Sequence, residues 1–288
     1  MFHIIASTGR TATTFIAAVL NEIPGITACH EGYVGSDHEA EPLLPLINLE
    51  NNLAYQKPET AGETVRQKRS KDAIADALVR CSSQTLVDVA YYNPTIAAAL
   101  LDQHPELRMV GIIREPEGFV ISATQMEGED LLPVGWPDPA KELTDREKFI
   151  GFGRIRPRRG SEEANQWKDW SAIRRNVWLW RETNRLLAEA REKFPDRVTL
   201  IDFRLLKSHP DRFWERTFSG FAFRPKQKIN HHLVKEFRNR KPGGAQIGPA
   251  ETWTPDERAA LELARAEYSG FWDDGIRQDH DGSGVHSS

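Results

Sequence analysis

The stretch that decides the fold is FHIIASTGRTATTFIAAVLNE, residues 2–22. Phe2 to Ala6 is a short apolar run, which is typical of a buried parallel strand. The polar turn Ser7-Thr8-Gly9-Arg10 follows it, and from Thr11 to Glu22 the apolar residues recur at helical spacing. Pro24-Gly25 then ends the helix. This stretch therefore predicts a strand, a tight polar turn and a helix in direct succession.

A strand that turns in this way into a helix forms an anion site. The amides at the start of the helix point outward, and the helix dipole favours negative charge there. Threonine hydroxyls add donors, and Arg10 adds a planar positive group. The loops that bind ATP and GTP need Gly-Lys-Ser or Gly-Lys-Thr, whereas the first lysine here is Lys57. Threonines that serve only as helix caps remain the structural alternative.

The rest of the chain continues the alternation of strand and helix. We predict strands at Ile26–Cys29, Thr85–Val89, Leu107–Ile113 and Arg197–Ile201, and helices at Lys71–Arg80, Asn93–Leu101, Pro116–Met126 and Glu162–Lys193. Thr254-Pro255-Asp256-Glu257 fits a capping box that begins a last helix. This order predicts an α/β fold: a single domain with a central, mostly parallel β-sheet and helices on both faces.

The domain is expected to span residues 1–278, followed by a short polar tail, 279–288, that is expected to be disordered. Prolines and glycines break up two stretches, 35–64 and 128–160. We expect both to be irregular and to act as acceptor-site or lid segments. The second contains the basic cluster Arg154, Arg156, Arg158 and Arg159, which is interpreted by default as a solvated surface.

Composition limits the function classes. The 38 basic and 42 acidic residues give a net charge of −4, so the chain as a whole has no attraction to nucleic acid or to anionic membranes. The sequence contains no run of about 18 apolar residues, so it predicts no transmembrane helix. Arg10 interrupts the apolar start, which therefore fails as a signal peptide. Two cysteines favour a reducing, cytoplasmic compartment, and no Cys/His spacing suggests a metal site.

A second block supports an anion site. Met109-Val110-Gly111-Ile112-Ile113-Arg114-Glu115-Pro116 is an apolar strand that ends in Arg-x-Pro, and Ser122 lies eight residues beyond Arg114. An arginine at the end of a strand and a serine two turns into the next helix can converge on one phosphate. Arg-x-Pro alone occurs by chance in many chains. Two such blocks in this order, about a hundred residues apart, make a stronger signal.

Together the two blocks resemble the sulfotransferases that use 3′-phosphoadenosine 5′-phosphosulfate (PAPS), whose fold is similar to that of the P-loop NTPases. The resemblance is closest to bacterial and carbohydrate-type members. It implies that the chain binds PAPS, with adenosine 3′,5′-bisphosphate (PAP) as product. The 5′-phosphosulfate loop would consist of Ser7, Thr8, Gly9, Arg10, Thr11, Ala12, Thr13, Thr14 and Phe15. Within it, Arg10 would contact the transferring sulfate, Thr13 and Thr14 the phosphate, and Phe15 the adenine.

The resemblance assigns the 3′-phosphate to Arg114 and Ser122. Near the C-terminus, a basic glycine-rich segment that includes Arg240, Lys241 and Gly243 resembles the family's loop that closes over this phosphate. Its spacing departs from the usual form, so a solvated basic loop is an equal alternative. The segment Arg197–Leu206 resembles a late strand of the family but departs at its end, and it is assigned only to the fold.

Sulfuryl transfer needs a base for the acceptor proton, and Cys29-His30-Glu31-Gly32-Tyr33 follows the second predicted strand. Ligands in open parallel sheets bind just beyond the carboxyl ends of strands. By resemblance to members with a glutamate base, Glu31 is the favoured base and His30 its rival. A histidine base would lose activity as pH falls through about 6.5. Position alone adds Asp88, Tyr91, Tyr92 and Asn93 as candidates for the acceptor pocket.

The resemblance implies transfer of a sulfuryl group from PAPS to a hydroxyl or amine of a small molecule or glycan. Two other functions remain open: a P-loop-type phosphotransferase with a degenerate loop, and a non-catalytic module that binds adenosine bisphosphate. Neither a nucleic acid nor a membrane is expected as a partner, and no metal is expected.

Overall fold

The computed structural model describes residues 1–35, 41–125, 153–225, 229 and 247–273. Three predicted 3′-phosphate ligands lie outside the described residues, as does the predicted disordered tail, 279–288. These three are Arg240, Lys241 and Gly243.

Within the described part of the chain, the strands form one six-stranded sheet of order β3-β2-β4-β1-β5-β6. The strands are β1 Phe2–Ser7, β2 Ile26–His30, β3 Tyr33–Val34, β4 Thr85–Ala90, β5 Arg108–Ile113 and β6 Val198–Asp202. All neighbours pair in parallel except the two-residue β3, which runs antiparallel to β2. The central strands β1 and β4 are buried along their whole length, as expected for parallel strands covered on both faces.

Helices cover both faces of the sheet. They are α1 Thr13–Asn21, α2 Asn51–Gln56, α3 Pro58–Lys68, α4 Lys71–Arg80, α5 Asn93–Gln103, α6 Pro116–Gln125, α7 Glu162–Gln166, α8 Ala172–Lys193, α9 Arg204–Ser208, α10 Pro210–Gly220 and α11 Pro255–Asp273. Residues of α1, α9 and α10 form the core on one face, and residues of α2 to α6, α8 and α11 form the larger core on the other. The predicted α/β architecture is confirmed.

The expectation that residues 35–64 are irregular is wrong in its second half. Pro58 lies at the first position of α3, where its missing N–H breaks no intrahelical hydrogen bond. Ala61 and Val65, four residues apart, bury one side of this helix. A proline that predicted a break therefore begins a helix.

The predicted helix Glu162–Lys193 is two helices. The first ends at Gln166, and the second begins after Ser171, whose side chain accepts a hydrogen bond from the Arg174 amide and so caps α8. The capping box before α11 is confirmed in both directions: the Thr254 amide donates to Glu257 Oε2 (2.8 Å), and the Glu257 amide donates to Thr254 Oγ1 (3.3 Å).

None of the described helices is long and apolar enough to cross a membrane.

Candidate active site

Chemically active side chains collect at one edge of the sheet. Because β1, β2, β4 and β5 run in parallel, the segments that follow them all emerge at the carboxyl edge, where ligands bind in open α/β sheets. The loop after β1, the turn after β2, Tyr91 after β4 and Arg114 after β5 therefore lie around one region.

The loop between β1 and α1 has an unusual backbone. Gly9, Arg10 and Ala12 all have positive φ angles (75°, 54° and 57°), and Ala12 lies at the N-cap of α1 without a side-chain cap. The left-handed conformation is unfavourable for arginine and alanine, at about 1 kcal/mol or more each. Concave arrays of backbone N–H groups that bind anions are built from such conformations. The strained backbone thus favours a ligand-binding role over simple helix capping.

Two hydroxyls of this loop brace it from inside. Ser7 Oγ accepts hydrogen bonds from the Gly9 amide (3.1 Å) and from Thr11 Oγ1 (2.8 Å), and both hydroxyl residues have no exposed surface. The role of Ser7 and Thr11 as ligands of PAPS stays a prediction. Ser7 and Thr11 hold the loop in shape, whereas Thr14 remains partly exposed.

Arg10 contacts both Ser122 and Arg114, the first through its side chain and the second through its backbone. Arg10 Nε donates to Ser122 Oγ at 3.2 Å, and Arg114 Nη1 donates to the Arg10 carbonyl oxygen at 2.7 Å. Residues from two motifs more than a hundred positions apart thus come into direct contact. The resemblance to sulfotransferases implies that Arg10 contacts the sulfate and that the other two residues bind the 3′-phosphate. Here the Arg10 side chain instead extends toward Ser122.

Arg10 and Arg114 are cations for which the described residues supply no matching carboxylate. Within the described residues, neither guanidinium has an Asp or Glu oxygen within ion-pair distance, and Arg114 also lies over the ring of Phe203 (5.4 Å). Burial lowers the pKa of both arginines, and the charge of Arg10 lowers that of Arg114 further, against the opposing effect of Glu115. Two partly buried positive groups held together in this way favour an anionic ligand.

His30 contacts the phosphate loop. Its Nε2 lies 3.0 Å from Thr13 Oγ1 and 3.4 Å from Thr14 Oγ1, and 3.7 Å from Glu31 Oε1. The imidazole therefore joins the first turn of α1 to the turn that follows β2. Since it is bonded to threonines of the loop, His30 has the position of a residue that orders this loop.

Glu31 lies in a two-residue hairpin turn between β2 and β3. Glu31 and Gly32 have φ angles of 55° and 89°, as in a type I′ turn, which favours Asn, Asp or Gly at its first position. A Cβ on Gly32 would come within 2.8 Å of the Leu44 carbonyl, so this position requires glycine. Glutamate at the first position is locally unfavourable, and such strain is common at functional sites.

Although 27% of the Glu31 side chain is exposed, its carboxyl oxygens lie 3.7 Å from His30 Nε2 and 3.5 Å from Asn48 Nδ2. Burial raises the pKa of Glu31 to about 7. A hydrogen bond from Asn48 and the charge of Arg154 oppose this rise, whereas the charge of Asp88 adds to it. A carboxyl group with this pKa is an effective base near neutral pH, because it is substantially ionised and still binds a proton well.

Arg154 is buried, with 7% of its surface exposed, so the prediction of a fully solvated basic cluster is wrong for this residue. The polar face of α2 fixes the segment that carries it: Asn51 Nδ2 donates to the Gly153 carbonyl (2.6 Å), and Gln56 Nε2 donates to the Arg156 carbonyl (2.8 Å). Arg158 and Arg159 are exposed, as predicted for the cluster.

Phe15 is a core residue. Only 4% of its surface is exposed, and its ring packs against Trp214 with centroids 6.5 Å apart. The prediction that Phe15 contacts adenine is corrected, since the apolar face of α1 turns this ring into the core on its side of the sheet.

Asp88, Tyr92 and Asn93 also leave the list of acceptor-pocket candidates, because all three are fully buried. Arg69 Nη2 donates to Asp88 Oδ2 (2.9 Å) and to Tyr92 Oη (3.1 Å). Asn93 Nδ2 donates to backbone carbonyls, including that of Ile5 (2.9 Å). These residues form an internal polar network. Tyr91 alone of the four faces the site.

Sequence reasoning missed the residues that surround Glu31. Asn48 was not singled out, and Arg154 was grouped with a surface cluster. One signal was available. Asn48 interrupts an apolar stretch that contains Leu43, Leu44, Leu46, Ile47 and Leu49, and a buried polar side chain in such a stretch is informative. Among the described residues, no group of His, Cys, Asp and Glu could hold a metal ion.

Comparisons with known proteins give fold relationships. No protein-family model matches the chain, and no curated protein sequence matches it. The solved structure of sulfotransferase STF9 from Mycobacterium avium matches with a TM-score of 0.52 at 12% identity, covering 94% of this chain and 76% of that one.

Two further structures match at lower TM-scores. The sulfotransferase domain from the curacin biosynthetic pathway has a TM-score of 0.48 at 13% identity and covers 93% of this chain and 96% of its own. Mouse sulfotransferase SULT7A1, solved in complex with PAP, has a TM-score of 0.43 at 11% identity and covers 92% and 83%. At such identities a likeness shows the fold alone, and the match to STF9 together with the sheet order establishes that this chain has the sulfotransferase fold.

Proposed function

We propose that the protein transfers a sulfuryl group from PAPS to a hydroxyl or amine of a small-molecule or glycan acceptor. The observation that carries this proposal is the contact of Arg10, Arg114 and Ser122 beside the strained loop after β1. A donor with phosphate groups at both ends of an adenosine needs two anion sites. The loop with the first turn of α1 supplies one, and Arg114 with Ser122 supplies the other.

In the proposed reaction, the acceptor oxygen or nitrogen attacks sulfur while the bond from sulfur to the 5′-phosphate oxygen breaks. The acceptor gives its proton to Glu31, and PAP leaves with an added negative charge. General base catalysis of this kind contributes about 10²–10⁴ in rate. The loop amides and Arg10 would stabilise the charge that develops on the leaving oxygen, at about 10²–10³ for each donor.

Two features favour Glu31 over His30 as the base. The imidazole Nε2 is engaged with the hydroxyls of Thr13 and Thr14, which assigns it to the donor loop. The Glu31 carboxyl has a pKa of about 7 because of burial, and its position in the turn is strained. His30 would then order the loop hydroxyls around the donor phosphate.

The pH dependence of sulfuryl transfer does not distinguish Glu31 from His30 as the base. A base with a pKa of about 7 loses activity as pH falls below 7, much as a histidine with an ordinary pKa of about 6.5 does. Substitutions must therefore distinguish the two candidate bases. Glu31→Gln keeps the shape of the side chain but cannot bind a proton, and His30→Gln keeps a polar group near the two threonines.

The decisive experiment is incubation of the purified protein with sulfur-labelled PAPS and a metabolite extract, followed by identification of labelled products. Transfer by the wild type, with a loss of at least about 100-fold in Glu31→Gln and a rise in the KM for PAPS in His30→Gln, is the expected result. Tight binding of PAP without transfer to any acceptor would instead favour a non-catalytic binding module. Consumption of ATP with magnesium would indicate a phosphotransferase.

A further inference from the structure

Asn48 lies where three segments of the chain meet. Its Nδ2 donates to Glu31 Oε2 at 3.5 Å and to Tyr91 Oη at 3.2 Å, and only 1% of its surface is exposed. Its backbone carbonyl lies so close to Gly153 that a Cβ there would come within 2.1 Å of it. The side-chain amide thus joins the turn after β2 to the residue after β4, and the backbone of Asn48 packs against the segment that carries Arg154.

This asparagine is an unfavourable choice for packing alone. Within the described structure its Oδ1 is buried and has no hydrogen-bond partner, which lowers stability compared with an apolar side chain of similar size. Leu44 and Ile47, its apolar neighbours in sequence, are fully buried without such a defect. A group that weakens the fold and touches the proposed base has the properties of a functional residue.

We propose that Asn48 is a positioning residue that holds the Glu31 carboxylate in place and in its basic form, so that it is ready to accept the proton of the acceptor. The inference rests on the function proposed above, in which Glu31 is the base. Asn48 makes no contact with reacting atoms in this proposal and acts only through Glu31.

The charges around Glu31 support this assignment. His30 faces it from β2, Asp88 from β4, Tyr91 from the residue after β4, and Arg154 from the segment after Gly153. Burial raises the pKa of Glu31, and the hydrogen bond from Asn48 is the largest of the effects that oppose burial, ahead of the charge of Arg154. Removing the amide donor therefore leaves burial and the charge of Asp88 less opposed, and the carboxyl group keeps its proton to higher pH.

The test uses the full-length protein with Asn48→Leu, which removes both polar atoms at similar size, and Asn48→Asp, which keeps the shape and adds a like charge. Asn184→Leu is the matched control. Asn184 is equally buried (1% exposed), its Oδ1 likewise has no partner in the described chain, and its Nδ2 donates only to the Trp180 carbonyl. Circular dichroism confirms that each variant is folded.

The first measurement is the ¹³C NMR titration of the Glu31 carboxyl group, assigned by its loss in Glu31→Gln. We expect both Asn48 variants to raise the midpoint by about 0.5 to 1 pH unit, while Asn184→Leu leaves it unchanged. An unchanged midpoint in both Asn48 variants overturns the proposal. This readout needs no turnover, so it tests Asn48 even if sulfuryl transfer is not the reaction.

The second measurement is the pH dependence of sulfuryl transfer. If the pKa of Glu31 rises by one unit, the ionised fraction of its carboxyl group at pH 7 falls from about one half to about one tenth. Sulfuryl transfer by Asn48→Leu should therefore be about fivefold slower than that of the wild type at pH 7. The rate should return toward that of the wild type at pH 9, with the KM for PAPS unchanged. A loss that is equal at all pH values would indicate structural damage and contradict the proposal.

Discussion

Two groups of arginines show how differently one side chain is used in this molecule. Arg69 has no exposed surface, and its guanidinium is matched by Asp88, Tyr92 and the Pro45 carbonyl. Arg10 and Arg114 are partly exposed at the carboxyl edge, and within the described residues no carboxylate pairs with them. A buried cation matched inside the protein is tied to its partners, because removing one of them leaves an uncompensated buried charge, whereas cations left without a carboxylate at a sheet edge are available to a ligand.

The largest expected effect is the loss of stability when the ion pair of Arg69 with Asp88 is broken. Asp88→Asn leaves Arg69 as a buried charge without its counterion, and we expect a loss of about 3–5 kcal/mol in the free energy of unfolding, measured by urea denaturation. Asp76→Asn is the control, because the pair of Asp76 with Arg80 lies on the surface and should contribute little. A loss no greater than that of the control would remove the distinction between the two groups of arginines.

Arg10→Ala tests the unmatched group through catalysis. We expect turnover to fall about 10²–10³-fold because a donor to the developing charge is lost, while PAP binding, measured by calorimetry, weakens much less. This requires the Arg10 side chain to leave Ser122 when the donor binds, which is an ordinary rotamer change for a partly exposed arginine. Equal losses in both quantities would instead assign Arg10 to a phosphate together with Arg114.

Ligand-induced stabilisation is a smaller effect that should distinguish the two groups. At about 100 times its dissociation constant, PAP should stabilise the wild type by about 2.7 kcal/mol. In Arg114→Gln the same concentration of PAP should stabilise much less, as followed by thermal unfolding. Arg80→Gln, at a surface arginine, should behave like the wild type. Full stabilisation of Arg114→Gln would exclude Arg114 from the site.

Two carboxyl groups, those of Asp88 and Glu31, extend the comparison. Asp88 lies 2.9 Å from Arg69 Nη2 in a buried ion pair, but the ionised form of Glu31 is disfavoured in the folded protein, since burial raises the pKa of Glu31 to about 7. Because the folded pKa is raised, the protein loses stability as pH rises from about 4.5 to 7. At pH 8, Glu31→Gln should therefore be more stable than the wild type by about 2 kcal/mol in the free energy of unfolding, and it should unfold at a higher temperature. At pH 4 the two proteins should be equally stable.

The gain at pH 8 should come with the loss of activity described above. A variant that is more stable and inactive would identify Glu31 as a residue retained for function at the expense of stability. If Glu31→Gln shows no difference in stability between pH 4 and pH 8, the carboxyl group is not in the environment described here.

Much of the fold could be predicted from local patterns. The strands and their following helices are visible as apolar runs of strand length and as helical periodicity, and the capping box at Thr254 and Glu257 is a short-range signal. The break at Ser171 and the helix that begins at Pro58 were missed, because a cap or a proline can either begin or end a helix depending on packing. Those choices depend on partners distant in sequence.

The candidate site was predictable in its motifs and not in its contacts. Arg10, Arg114 and Ser122 could be chosen from two sequence blocks, and the structure brings them together. Which hydroxyls face outward could not be predicted, because Ser7 and Thr11 differ from Thr14 only in the direction that the strained loop gives them. Phe15 turned out to be a core residue because the apolar face of α1 turns its ring toward Trp214.

The sequence by itself determined the parallel architecture and the anion-binding character of the first turn, because hydrophobic periodicity and helix-terminal chemistry act over a few residues. Only the tertiary structure decided the environment of Glu31. Its proton affinity depends on Asn48, Asp88 and Arg154, which the fold brings around one turn from distant positions in the chain. Burial and charge act through space, so a pKa that suits catalysis becomes visible only once the chain is folded.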